Sequence, residues 1–314
     1  MAFNSTSGHN NLPSGNFTPE IFSQKVLKFF RRASVAEDIT NTDYAGEIEN
    51  FGDTVRIIKE PTITVASYAR GAVINPQDLA DDQTTMVVDQ ANAFAFKIDD
   101  IEERHSHVNF EALATSSGAF SLKRKYDANI LQAMADGAGI TGTSTSIGSA
   151  SSPVDITGSG NEDAAVNLLL SMARLMDDNS VPEENRWFVA PPVFYENMFK
   201  AGAKFAEVQV TGDATSPLRN GLVMQGNIAG FNCYKSTVLN NSGTDVVTIT
   251  SQDTTNDFVV LGGHMSSTST ASHIAKTEVV RSTETFSDIV RGLHVFGRKV
   301  LRPEALAVGV VKTD

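Results

Sequence analysis

Two runs of β-branched and aromatic residues flanking a polar tip predict a long β-hairpin over residues 54–98. The first arm reads Thr54-Val55-Arg56-Ile57-Ile58-Lys59 and continues past Pro61 into Thr62-Ile63-Thr64-Val65. The second reads Thr84-Thr85-Met86-Val87-Val88 and then Phe94-Ala95-Phe96-Lys97-Ile98. Between them, residues 70–82 hold Gly71 and Pro76 among polar side chains. At roughly 3.3 Å per residue, each arm would reach on the order of 40 Å. A two-stranded ribbon is marginal in water unless a third strand or a packing surface supports it, and its open edges invite pairing with other chains. The pattern points to a molecule that docks an arm on a neighbour, and so to assembly rather than catalysis.

Helical periodicity appears on both sides of this hairpin. Residues 1–17 read as an extended arm. Thr18 as N-cap and Pro19 at the first helical position start a short helix over 19–33. Its apolar face is Ile21, Phe22, Val26, Phe29 and Phe30, and Lys25, Lys28, Arg31 and Arg32 make it the most basic stretch of the chain. That basic run reads either as a solvated polar face or as a contact with an acidic partner or DNA. Asn109 then caps a long helix over 110–136, with Phe110, Leu113, Phe120, Tyr126, Ile130 and Met134 on one drifting face. At about 27 residues it would be roughly 40 Å long.

Residues 137–160, dense in Gly, Ser and Thr, read as a linker and a subdomain boundary. A second amphipathic helix starts after Asn161, with Val166, Leu169, Leu170, Ala173 and Met176 as its buried stripe. A buried strand over 187–190 is stopped by Pro191 and Pro192, a helix follows over 193–201, and short strands are expected at 230–234, 246–250 and 258–261. This alternation reads as a compact α+β or α/β unit. Long strands return at 273–280 and 288–301, and 306–311 forms a last one.

Composition narrows the function classes. The 314 residues suffice for one large domain or two smaller ones, and 41% hydrophobic content builds a real core. With 25 Lys and Arg against 37 Asp and Glu, the net charge is −12. That disfavours a free-standing nucleic-acid binder but suits a shell that surrounds nucleic acid without gripping it. The single cysteine, Cys233, reads as a buried core thiol, and a lone thiol fits a reducing compartment. No apolar run approaches the roughly 18 to 20 residues of a membrane span. The first residues lack the basic start and apolar middle of a signal peptide. A soluble chain without membrane contact is expected.

Candidate chemistry is sparse. No Gly-rich phosphate loop, Gly-x-Ser-x-Gly turn or His-Glu-x-x-His helix occurs; Gly158-Ser159-Gly160 lacks the spacing of a nucleophile turn. His105 and His107, beside Glu102 and Glu103, are the best metal candidates, but no third ligand set is evident and a polar surface bend explains them better. Asp81-Asp82, Asp99-Asp100 and Asp177-Asp178 read as solvated turns. No catalytic, cofactor or metal site is predicted, and the chain is expected not to be an enzyme.

Three motifs carry a family resemblance. Phe51-Gly52-Asp53-Thr54-Val55 opens the hairpin, followed by the tip Asn75-Pro76-Gln77-Asp78-Leu79 and the return Phe94-Ala95-Phe96-Lys97-Ile98-Asp99-Asp100. Trp187-Phe188-Val189-Ala190-Pro191-Pro192-Val193-Phe194-Tyr195 is joined further on by Gly226-Asn227-Ile228-Ala229-Gly230-Phe231. The third and most specific, Asp288-Ile289-Val290-Arg291-Gly292-Leu293-His294-Val295-Phe296-Gly297, runs into Val300-Leu301-Arg302-Pro303-Glu304-Ala305-Leu306-Ala307. Together they make the chain resemble a major capsid protein of tailed bacteriophages, with the Hong Kong 97 type of α+β fold.

The resemblance implies an N-terminal arm over 1–32, the start of a peripheral domain over 33–53 and an extended β-hairpin loop over 54–98 lying across an adjacent subunit. It implies further peripheral residues over 99–158 around a spine helix at 110–136, an axial α/β domain over 159–271 and peripheral long strands over 272–314, the last strand returning to the axial domain. Such proteins form hexamers and pentamers of an icosahedral shell, assemble with scaffolding protein and a portal in the host bacterial cytoplasm, and enclose double-stranded DNA without sequence-specific binding. Some add a decoration protein. Some cross-link a loop lysine to a neighbour's asparagine; Lys59 is the one lysine near the middle of this hairpin, no matching asparagine or carboxylate is evident, and a non-covalent shell is expected. Arg56, Lys59, Arg70, Asp78, Asp81 and Asp82 are the expected charged contacts between subunits, and Lys25, Lys28, Arg31 and Arg32 the expected interior contact with scaffold or DNA. The alternatives are an encapsulin-like nanocompartment shell, distinguished by protein cargo, and a soluble hydrolase with an unrecognised site.

Overall fold

The computed structural model describes residues 34–44, 54–58, 83–100, 110–142, 147–198 and 227–313, apart from 143–146 and the single positions 159, 162, 242, 244 and 254, together with 60–61, 63–65, 67–71, 73 and 76–78. The expected N-terminal arm and helix over 1–33, with Lys25, Lys28, Arg31 and Arg32, lie outside the described residues, as do Lys59, Asp81, Asp82, His105 and His107.

In chain order the helices are α1 (Ala36–Ile39), α2 (Phe110–Gly137), α3 (Ala164–Asp178) and α4 (Pro192–Met198). The strands are β1 (Thr54–Ile58), β2 (Gln83–Val87), β3 (Gln90–Asp99), β4 (Ile140–Thr141), β5 (Val154–Asp155), β6 (Arg186–Ala190), β7 (Asn227–Ile228), β8 (Phe231–Lys235), β9 (Asp257–His264), β10 (Thr268–Arg281), β11 (Ser287–Val300) and β12 (Leu306–Lys312). They form a two-stranded ribbon β1-β2, a three-stranded sheet β10-β11-β3, and a seven-stranded mixed sheet ordered β4-β12-β9-β6-β8-β7, with β5 also on β12.

The seven-stranded sheet is covered on both faces, which is why its central strands are continuous apolar runs rather than alternating ones. All five residues of β6 are buried. Side chains two apart share a face. Phe188, Val260 and Ala307 therefore pack with Leu168, Met172 and Met176 of α3 and Phe194 of α4. Trp187, Val189, Val259, Leu261 and Val308 pack with Tyr126, Ile130, Leu131 and Met134 of α2. The buried stripe of α3 is Ala165, Leu168, Leu169, Met172 and Met176. Leu170, expected inside, is exposed: the stripe is phased one residue away from the predicted one.

Residues 137–160 are not a plain linker. β4 and β5 each pair in parallel with β12, and Ile140, Ile147 and Ile156 are buried in the core. Gly, Ser and Thr let this segment fit closely round the sheet rather than span a gap. The strand expected at 246–250 does not form; Val247 instead turns into the core with its N–H bonded to Val238 O at 2.9 Å. The long helix, the strands around 258–261, 273–280 and 288–301, and the terminal strand stand where periodicity placed them, within a few residues. β12 pairs antiparallel with β9.

α2 bridges the two larger sheets. Its Asp127 is fully buried and its Oδ1 accepts from the N–H groups of Val35 (3.0 Å) and Ala36 (2.8 Å) and from Ser34 Oγ (3.2 Å). This carboxylate fastens α1 to the helix. Gly118 sits inside α2 against the Phe94 ring of β3; a Cβ there would lie 2.7 Å from that ring. A glycine that weakens the helix by about 1 kcal/mol thus makes room for close helix–sheet contact.

Candidate functional site

The ribbon is the element that sequence reasoning singled out, and the structure divides it in two. β1 and β2 pair antiparallel over five residues each, from Thr54↔Val87 to Ile58↔Gln83. The second half of the expected return arm does not extend the ribbon. Residues 94–98 belong to β3, which pairs with β11 from Ser287↔Asp99 to Phe296↔Gln90. The run of alternating β-formers was real, but strand propensity does not name a partner. The longer strand gains more by joining a sheet that α2 covers.

The base of the ribbon is seated on its own molecule. Val55, Met86 and Val88 pack with Ala271 of β10 and Val295 of β11. Gly297 of β11 permits this approach, because a Cβ there would lie 2.8 Å from the Val87 carbonyl oxygen. The support that a two-stranded ribbon needs comes, at this end, from the three-stranded sheet.

Beyond Ile58 the character changes. Every described residue from 60 to 78 is exposed. Ile58 is 77% exposed and Val65 92%, and Ile63, Tyr68 and Val73 are also largely in solvent. The predicted extension of the first arm over 62–65 is not a strand among the described residues. One local bond, Thr64 N–H to Gln77 Oε1 at 3.0 Å, joins the two sides, and Gly71 takes a turn with φ +87°.

Of the charged contacts expected from sequence, Arg56 is exposed on β1, and Arg70 and Asp78 are exposed at the tip. None of the three makes an ion pair to another described residue. Sequence reasoning missed the apolar members of the same surface. Ile63 and Val65 were assigned to a strand, and Tyr68 and Val73 were not considered. Their signal was available: apolar side chains in a segment punctuated by Pro61, Gly71 and Pro76.

The remaining chemistry is structural. Cys233 is buried in β8, and burial pushes its thiol up to about 11, as expected of an inert core thiol. Tyr195 donates to Tyr234 O at 2.9 Å, and desolvation raises its pKa. Arg186 is buried and donates to the carbonyls of Pro182 and Val181 and to Asp177, which ties the end of α3 to β6. Among the described residues no group of three or more His, Cys, Asp or Glu is placed to hold a metal ion. No described helix is long and apolar enough to cross a membrane.

Comparison with known proteins identifies the architecture. The sequence model of the phage capsid protein family matches residues 58–309, most of the chain. A structure from Mycobacterium phage Che8 is similar with a TM-score of 0.77 and 26% identity, covering 94% of this chain and 97% of that one. The capsid structure of cyanophage P-SCSP1u has a TM-score of 0.67 at 18% identity, over 97% of this chain and 95% of that one. The asymmetric unit of the mature capsid of bacteriophage PhiM1 has a TM-score of 0.67 at 16% identity, over 94% and 91%. The last two speak for the fold alone. No curated protein sequence matches the chain. The mixed helix-and-sheet fold is of the Hong Kong 97 type, and the chain belongs to the phage capsid protein family: it is a major capsid protein, a structural subunit that self-assembles into the virion shell.

Proposed function

We propose that this capsid protein docks the exposed end of its ribbon on a neighbouring copy, within the hexamers and pentamers of an icosahedral shell. The observation that carries this reading is the split along one ribbon: Val55, Met86 and Val88 are buried on their own subunit, whereas Ile58, Ile63, Val65, Tyr68 and Val73 stand in solvent. Apolar side chains left in solvent this densely along one segment are more than scattered surface residues, and a partner's surface would cover them. Permanent interfaces bury roughly 2,000 Å² or more, and the tip supplies part of that area. The exposed Arg56, Arg70 and Asp78 supply charged contacts to the neighbour, with Lys59, Asp81 and Asp82 the further charged contacts expected from sequence, and contact is non-covalent.

In this reading the three-stranded sheet and α2 form the peripheral domain, and the seven-stranded sheet with α3 and α4 forms the axial domain. Residues 1–32 are an arm whose Lys25, Lys28, Arg31 and Arg32 meet scaffolding protein or packaged double-stranded DNA inside. DNA is enclosed without sequence-specific recognition, in keeping with a net charge of −12. A portal and a decoration protein are further partners, and assembly takes place in the host bacterial cytoplasm.

Negative-stain microscopy of purified protein under assembly conditions tests the central claim. The wild-type chain is expected to form shells, capsomers or tubes, and the double variant Val65→Asp, Tyr68→Asp to lose them while staying folded. A monodisperse wild-type monomer under assembly conditions, or unimpaired particles from the double variant, overturns it. Nuclease-protected DNA inside particles purified from infected cells, rather than a packed protein, separates the viral shell from a nanocompartment.

A further inference from the structure

Several elements meet around the imidazole of His294, close to where α1 is fastened to the body. His294 of β11 lies half-buried, opposite Ala275 of β10 and Asn92 of β3. Its ring stacks on Phe296, with centroids 5.3 Å apart, and tilts against Tyr126 of α2 at 5.1 Å. Tyr126 in turn meets Phe296 edge-on at 4.7 Å. A β-bulge between Ser272 and Ile274 offsets β10 from β11 here, and His294 Nε2 spans it, 2.8 Å from Ser272 Oγ. From the ring cluster a chain of hydrogen bonds runs into α1. The Tyr126 hydroxyl is bonded to Thr270, Thr270 Oγ1 lies 3.0 Å from Thr40 Oγ1, and Thr40 Oγ1 donates to Ala36 O at 2.8 Å. Thr40 and Thr270 are both buried. Nearer the solvent, Lys123 of α2 holds Glu37 of α1 at 2.8 Å.

We propose that His294 is a proton-operated catch on α1: the neutral imidazole keeps this joint closed, and the imidazolium loosens residues 35–41 from α2 and β10. A charge placed between two aromatic rings in a half-buried site loses hydration, and burial accordingly lowers the His294 pKa. The groups facing it set what the charged ring does next. From α1 comes Glu37, whose carboxylate favours the imidazolium. From α2 come Lys123, already bound to Glu37, and Tyr126, which burial keeps neutral. Ser272 and Thr270 of β10 and Asn92 of β3 do not ionise. The imidazolium therefore gains by moving towards water and by drawing Glu37 from Lys123. The first motion unseats Tyr126 and with it the Thr270–Thr40 link; the second removes an ion pair. Both act on α1. Asp127 keeps its bonds to the Val35 and Ala36 N–H groups, so α1 is loosened rather than detached, a local opening and not global unfolding. α1 is the first described element, so whatever precedes it in the chain is attached through this joint.

The test is amide hydrogen exchange of the unassembled full-length subunit, read by mass spectrometry between about pH 8 and pH 5 and corrected for the intrinsic exchange rate. Protection over residues 35–41 is expected to fall about tenfold on acidification, the change that a pKa difference of about one unit between closed and open joint supports. Protection over β6 and β9 is expected to stay level. His294→Gln, which keeps an amide for Ser272 but takes up no proton, should hold the fall under twofold. His264→Gln, in the other sheet beside Arg186, should leave it at full size. Glu37→Gln, at an exposed position on α1, should move the midpoint of the fall to lower pH. Wild-type protection over 35–41 that stays within twofold across the range overturns the proposal, and so does an equal fall in His294→Gln. If His294→Gln does not fold, the Glu37→Gln midpoint decides: one that does not move overturns the catch.

Discussion

In the seven-stranded sheet, Phe188, Val189, Val260 and Leu261 alternate between two helix-covered faces and none reaches solvent; in the outer ribbon, Ile63, Val65 and Val73 are the same kinds of residue with nothing over them. The first region satisfies its apolar surface within one chain and so defines the subunit. The second leaves its apolar surface open and so defines what the subunit does next. What separates them is cover rather than residue type, and the change occurs within the ribbon itself, between the buried Val55 and the exposed Ile58.

Substitutions in the closed region are expected to cost stability, and substitutions in the open region to cost assembly alone. The largest effect is expected at Phe188, which is fully buried with ring centroids 5.3 Å from Phe194 and 6.1 Å from Phe231. Phe188→Ala should lose about 3–5 kcal/mol in urea denaturation of the unassembled subunit. Asp127→Ala comes next: two buried backbone N–H groups lose their acceptor, for about 1–3 kcal/mol by the same assay.

A smaller effect belongs to pH. His294 lies half-buried beside Tyr126 and Phe296, and His264 is packed near Arg302 and Arg186; burial lowers both pKa values from the ordinary 6.5. The unfolded chain therefore takes up protons first as pH falls through about 6.5, so stability declines on acidification and recovers above it. The melting temperature of the subunit should fall from pH 8 to pH 5, and His294→Gln should flatten that slope; an unchanged slope would show that His294 contributes nothing to it. Smallest of all is the effect of Val65→Asp, Tyr68→Asp on subunit stability, within ~0.5 kcal/mol. A larger loss would mean that the tip packs on its own subunit, and the contrast between the two regions would fail.

Much of the fold was legible because periodicity reports cover. The long helix, β9, β10, β11 and β12 were each marked by runs that must bury one face or two. Partner choice was not legible. Residues 94–98 looked like the return of a hairpin, yet β3 pairs with β11, because the pattern that makes a strand says nothing of which edge it joins. The segment 137–160 read as a linker from its Gly and Ser, although Ile140, Ile147 and Ile156 carry it into the core. Leu170 and Leu169 look alike in sequence, and a one-residue error in helix phase exchanges inside for outside. At the proposed contact surface, charged residues were chosen because charges are expected in solvent; Ile63 and Val65 were read as strand positions, and Tyr68 and Val73 were not considered. Pro61, Gly71 and Pro76 marked that segment as one without a regular strand, but which of its side chains stand in solvent follows from tertiary structure.

The pairing of β3 with β11 also sets a timetable. The strand that follows the ribbon finds its hydrogen-bonding partner roughly two hundred residues later in the chain, a separation that makes the joining step slow. Ala271 and Val295, on which the ribbon rests, are made equally late. A nascent polypeptide therefore carries the ribbon before it owns the platform that aims it. If the outer ribbon docks on a neighbour as proposed, half-made subunits lack the geometry to seed a particle, and polymerisation is expected only of chains whose synthesis has passed β11.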